Sequence, residues 1–129
     1  MFSHVFVGTN DLEKSQHFYD ALFAALGGNP GFTDPNGRLI YRHNGSMFMV
    51  TKPINGEPAC PANGGTIGFA MSGPEQTDAW HAAGVAAGGT TCEDPPGVRS
   101  GDFGAMYLAY LRDPDGNKLC GLYSMPAAA

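Results

Sequence analysis

The feature that most constrains this chain is that its opening pattern occurs twice. Residues 2–8 read as a short alternating strand with Val5 and Val7 on one face. They lead into Asn10-Asp11-Leu12-Glu13, a capping-box pattern with Asn10 as the side-chain acceptor and a carboxylate three residues on. Apolar residues then recur at helical spacing at Leu12, Phe18, Tyr19, Leu22, Phe23 and Leu26, and Gly27-Gly28 ends the helix. The pattern restarts at Thr66, where Ile67, Phe69 and Met71 share one face of a second strand. Ser72-Gly73-Pro74-Glu75 is a second capping box, with Pro at an early helical position where its missing N–H costs least. An alanine-rich helix carrying Trp80 follows and stops near Gly88-Gly89. Setting His4 against Thr66 gives a period of roughly 62 residues, an internal repeat.

Further strands complete each half. Residues 38–43 and 46–51 are strand candidates joined by Asn44-Gly45, a strong two-residue hairpin signal. Asp34-Pro35-Asn36-Gly37 punctuates their entry, and a weaker strand is expected near Phe32. In the second half a Gly/Pro-rich loop over 93–104 precedes a strand at 105–112. The turn Asp113-Pro114-Asp115-Gly116 then leads to a final strand at 118–123. The two DPxG turns fall at inequivalent places, so the repeat rests on the strand–helix openings. The expected organisation is one domain, with module one at about 1–52, a Pro/Gly/Asn-rich linker at about 53–65 and module two at about 66–125.

One helix and a few strands bury too little apolar surface to stand alone, so the halves must share a core. Packing each helix on its sheet buries Val5, Val7, Phe48, Val50, Ile67, Phe69 and Leu119. The strand period of two sends His4, Phe6, Met47, Met49, Thr51, Thr66, Gly68, Lys118 and Cys120 to the opposite face. The fold class expected is α+β, two βαβββ modules set side by side as a half-open barrel, with that opposite face lining a cavity for a small molecule.

Composition removes several partners. The net charge is −5 and the 7 Lys and Arg residues form no run, which argues against nucleic acid and anionic membrane as partners. No stretch approaches 18 uncharged apolar residues, so neither a membrane span nor a secretion signal is expected. Cys60, Cys92 and Cys120 are odd in number and form no CxxC unit, so no disulfide framework or zinc knuckle is indicated, and a reducing cytoplasm is the expected location. No nucleophile elbow, phosphate loop or dinucleotide fingerprint is visible; Gly101-Asp102-Phe103-Gly104 lacks the strand–helix context they require.

The opening His4-Val5-Phe6-Val7, with Asp11-Leu12, Phe18-Tyr19 and Leu22, resembles the first strand and helix of the vicinal oxygen chelate superfamily, which includes glyoxalases, bleomycin-resistance proteins and ring-cleaving dioxygenases. The closing Arg112-Asp113-Pro114-Asp115-Gly116-Asn117-Lys118-Leu119 resembles the family's last hairpin. With the repeat, the resemblance covers nearly the whole chain and implies paired βαβββ modules, a U-shaped cavity and usually a homodimer. Family enzymes bind a divalent metal through one residue on the first strand and one on the last strand of each half, typically His or Gln, and Glu. The corresponding positions here are His4, Met49, Thr66 and Cys120, of which only His4 matches. A divalent metal is thus implied by the resemblance but not supported by the ligand positions, and the cofactor stays open.

The resemblance makes His4, Tyr110 and Cys120 the candidate catalytic residues, with Met49, Thr66, Phe6, Thr51 and Arg112 lining the cavity. Family members acting on small anionic or thiol-bearing substrates often carry Tyr at the position of Tyr110. Each residue also has a plainer reading. His4 is equally a hydrogen-bonded strand histidine, Tyr110 a core aromatic and Cys120 a small buried hydrophobe. Arg112 suits bracing of the acidic turn, and Arg99 is a loop charge or a lid over an anion. His17, His43 and His81 read as surface histidines and Trp80 as core. Two functions stay open: a glyoxalase-related enzyme acting on a small oxygenated or thiol-conjugated metabolite, and a metal-free dimeric binding protein of the bleomycin-resistance type, for which an acidic chain suits a cationic ligand. A ring-cleaving dioxygenase would need two histidines and a glutamate around iron.

Overall fold

The computed structural model describes residues 1–126. Module one is β1 (His4–Gly8), α1 (Leu12–Ala25), β2 (Phe32–Thr33), β3 (Leu39–His43) and β4 (Ser46–Thr51). Module two is β5 (Ile67–Ala70), α2 (Pro74–Ala86), β6 (Thr90–Thr91), β7 (Gly97–Gly101), β8 (Gly104–Arg112) and β9 (Lys118–Ser124). Sheet order is β1-β4-β3-β2 in the first module and β5-β9-β8-β6 in the second, with β7 also on β8. In each module the opening strand lies parallel to the last one, and every other pairing is antiparallel. The repeat is therefore topological. No ladder joins β1 to β5, and the sheets do not close into a barrel.

The two helices end in the same way. Gly27 at φ 78° lets its N–H reach Ala24 O while Gly28 N reaches Phe23 O, and Gly88 at φ 106° does so with Val85 O while Gly89 N reaches Gly84 O. Each is a Schellman closure in which glycine takes the left-handed residue. The helix starts differ from expectation. Asp11, not Asn10, caps α1, its carboxylate accepting from Lys14 N at 3.1 Å, while Asn10 bonds the Ala59 backbone. The second capping box does not form: Gly73 is the N-cap, and the Gln76 side chain accepts from Ser72 N instead. The loop expected over 93–104 contains β7, paired antiparallel to β8.

Both modules feed one core. Phe18, Tyr19, Leu22 and Phe23 of α1 meet Leu39, Tyr41, Phe48 and Val50 of the first sheet and, with Trp80 of α2, reach Leu111 and Leu119 of the second. Each fully buried side chain of this size contributes roughly 1.5–3 kcal/mol relative to exposure. The helices approach closely at Gly84, where a Cβ would lie 2.5 Å from Leu111 Cδ1 and 3.0 Å from Leu22 Cδ2.

The acidic turn between β8 and β9 ties the modules together. Asp113 is 3% exposed and accepts from Tyr19 Oη at 2.6 Å, from Asn117 N and Nδ2 at 2.9 Å, and from Asp115 N at 2.9 Å. Asp115 accepts from Thr9 Oγ1 at 2.6 Å and Asn10 N at 2.9 Å, and Asn117 Nδ2 donates to Gly8 O. Burial pushes the Asp113 carboxyl above the usual carboxylate range, against the hydrogen bonds from Tyr19 and Asn117 that pull it down. Arg112 braces this turn through Nη1 to Gly116 O at 2.7 Å.

Candidate functional site

The face of each sheet turned away from its helix carries the sequence-derived candidates, and strand register arranges them in rows. In the first sheet Phe6, Met49, Ile40 and Phe32 form one row across all four strands, and His4, Met47 and Arg42 the next. In the second sheet Gly68, Cys120 and Tyr110 share a row beside Lys118 and Arg112. His4 thus stands one row from Met49, and Thr66, just ahead of β5, one row from Cys120. The repeat places the four family positions alike in the two modules. His4 and Thr66 are exposed, whereas Met49 and Cys120 are 5% and 6% exposed.

Their chemistry is subdued. His4 Nδ1 lies 2.8 Å from Ser3 Oγ, and its ring meets Phe6 edge-on. Burial pushes the Cys120 thiol up, with the neighbouring Glu93 adding to the rise against the pull of the Tyr110 hydroxyl, and burial also raises Tyr110. A thiol so placed stays protonated and is a poor nucleophile. Lys118 pairs with Glu93 and lies 5.1 Å from the centre of the Tyr110 ring. Arg99 donates to the Asp94 and Pro95 carbonyls, holding its own loop.

The eight candidates are not gathered in one cavity. Phe6 shares a crevice with Thr66 and another with Thr51, whereas His4 lines a third. That third crevice, about 220 Å³, lies at the open seam between β1 and β5. Val5, Phe48 and Tyr41, one row of the first sheet, line it together with Ile67 and Phe69 of β5 and Phe23 of α1. His43 and Ser46, partners across the Asn44-Gly45 hairpin, and Ser3 stand at its polar side with His4. His43, expected at the surface, is half-buried and lines this crevice. Its period-two alignment with Tyr41 and Leu39 was the available signal.

No family model matches the chain, and no match was found among curated proteins. Solved structures do match. A glyoxalase/bleomycin resistance protein from Albidiferax ferrireducens is 61% identical, covering 95% of this chain and 98% of its own, at a TM-score of 0.91. The chain belongs to the glyoxalase/bleomycin resistance protein family. More distant likenesses show the same fold: a glyoxalase-related enzyme from Fulvimarina pelagi (22% identity, 100% and 93% coverage, TM-score 0.74) and a lactoylglutathione lyase from Agrobacterium tumefaciens (20% identity, 95% and 92% coverage, TM-score 0.65).

As a family member, the chain invites a test of its four positions against a divalent metal. Met49 offers a buried thioether, Cys120 a buried thiol held protonated and Thr66 an exposed hydroxyl, leaving His4 as the one imidazole. Hard divalent cations take carboxylate and imidazole donors. Among the described residues no group of three or more His, Cys, Asp or Glu side chains is placed to hold a metal ion. The donor set does not fit the family's metal. Nor is any described helix long and apolar enough to cross a membrane.

Proposed function

We propose that this family member binds a small organic ligand without metal chemistry, in the crevice at the seam between β1 and β5. The observation that carries this reading is the crevice itself. It has apolar walls drawn from both modules and a few hydrogen-bonding side chains on one side, the composition of a small-molecule site. The competing reading is a glyoxalase-type lyase using His4, Tyr110 and Cys120. It needs a Lewis acid, and beside the one imidazole of His4 the other family positions offer a thioether, a hydroxyl and a protonated thiol.

We propose further that the protein works as a homodimer. The row of Phe6, Met49, Ile40 and Phe32 leaves Phe6 at 40% and Phe32 at 48% exposure, and a second copy over this face would cover them. A thermal-shift ligand screen, run with EDTA and with added divalent ions, separates the two functional readings. Stabilisation by an organic compound in EDTA supports binding. Stabilisation that appears only with a divalent ion, together with turnover, supports the lyase.

A further inference from the structure

We propose that the crevice between β1 and β5 takes a small monocyclic aromatic anion, a carboxylate or phenolate on a single ring, and not the cation that the chain's overall charge of −5 suits. The proposal rests on the metal-free binding reading above and names the ligand class for that site. Its walls are rings. Phe23 and Tyr41 stack at 4.5 Å and 7°, Phe48 lies 5.5 Å from Phe69, and Phe69 meets Phe23 edge-on at 5.9 Å. Phe23, Tyr41 and Phe48 are 4%, 1% and 6% exposed and back the crevice, so a ligand ring meets chiefly the half-buried Phe69, by edge-to-face or offset contact.

The polar groups bear on the charge: they can donate to an anion's oxygens, and no carboxylate among the described lining residues repels one. His4, His43, Ser3 and Ser46 each carry an N–H or O–H able to donate, and no Asp, Glu, Lys or Arg lines the crevice. The Tyr41 hydroxyl is turned away, donating to Asp20 Oδ1 at 2.7 Å, so that carboxylate is already engaged outside the crevice. His43 makes no side-chain hydrogen bond among the described residues, leaving its ring N–H for a ligand oxygen, whereas His4 is shared with Ser3 at 2.8 Å. Among the described residues an ammonium ligand would meet no carboxylate here and no free aromatic face on the stacked sides of Phe23 and Tyr41, whereas an anion, which meets no Lys or Arg either, finds four donor-capable side chains. Size sets the rest. About 220 Å³ falls below the roughly 300–1,000 Å³ that holds drug-sized ligands, which leaves room for one ring and its substituent.

Titration calorimetry at neutral pH with benzoate, benzyl alcohol and benzylamine tests the class on near-isosteric probes. Benzoate is expected to bind at least about tenfold more tightly than benzylamine, with benzyl alcohol between them. The double variant His4→Phe, His43→Phe keeps the walls apolar. It is expected to lower benzoate affinity about tenfold and benzyl alcohol affinity by a smaller factor, its fold checked by near-ultraviolet circular dichroism. Benzylamine binding as tightly as benzoate, or a double variant that loses nothing, overturns the anion class and leaves metal-free binding standing. No binding by any of the three overturns the proposal too. In that case stabilisation of the protein by some other compound in EDTA keeps the broader reading, and its absence there ends both.

Discussion

Tyr19 is the residue on which the joining of the modules most depends. Its hydroxyl, fully buried on α1, donates to Asp113 at 2.6 Å, ninety-four positions along the chain. Burial, then the Asp113 charge, holds the phenol well above its usual range. Tyr19→Phe removes one donor to a buried carboxylate and is expected to cost about 1.5–3 kcal/mol in urea unfolding. The pH sign follows from linkage. A folded pKa above the unfolded value of about 10 gives stability that is full below pH ~10 and lost as pH rises beyond it. Alkaline destabilisation should therefore be shallower in Tyr19→Phe than in the natural protein. An unchanged alkaline slope would remove Tyr19 from this role. Some of this was legible in sequence: Asp113-Pro114-Asp115-Gly116 reads as a turn, and Arg112 as its brace. That Asp113 is a buried node was not, because its partners Tyr19 and Thr9-bound Asp115 meet only after the modules pack.

Turns and helix ends follow from local chemistry that the sequence carries, whereas tertiary contacts that replace it do not. Asn44 and Gly45, both at positive φ (48° and 82°), make the expected hairpin turn, and Gly27-Gly28 and Gly88-Gly89 close the helices. The strand at Gly97–Gly101 was hidden in a Gly- and Pro-rich run because its pairing with β8, not its own propensity, forms it. Likewise, Asn10 looked like a cap but bonds the linker at Ala59, freeing Asp11 to cap α1. Gly84 gives a sharp test of packing against propensity. Alanine in a helix interior gains about 1 kcal/mol over glycine. Here its Cβ would fall 2.5 Å from Leu111 Cδ1, which must then shift within the core where Leu111 is 0% exposed, and overpacking typically costs about 1–3 kcal/mol. Gly84→Ala should thus lower the thermal midpoint. A raised midpoint would mean that the interhelical contact relaxes freely.

For the whole molecule, the repeat and the family resemblance anticipated paired βαβββ modules, and the 61% identical relative confirms the family. The site was less legible. Face assignments from a period of two placed Val5, Phe48, Ile67 and Phe69 in the core, and they do pack there; what they did not reveal is that the open seam also brings them to the edge of a crevice with His4 and His43. No pattern within one strand reveals a gap between two sheets. The proposed homodimer is checked by sedimentation velocity. Phe6→Asp, placing a charge in the apolar row, is expected to shift the protein from dimer to monomer, and a natural protein that sediments as a monomer would refute the pairing. Metal-free binding requires that the four family positions, with His4 alone among imidazoles, hold no metal. Elemental analysis of protein purified without chelator tests it most directly. No divalent metal at stoichiometric level and a thermal midpoint unmoved by EDTA are expected; one tightly held divalent ion per chain, lost on His4→Ala, would refute metal-free binding.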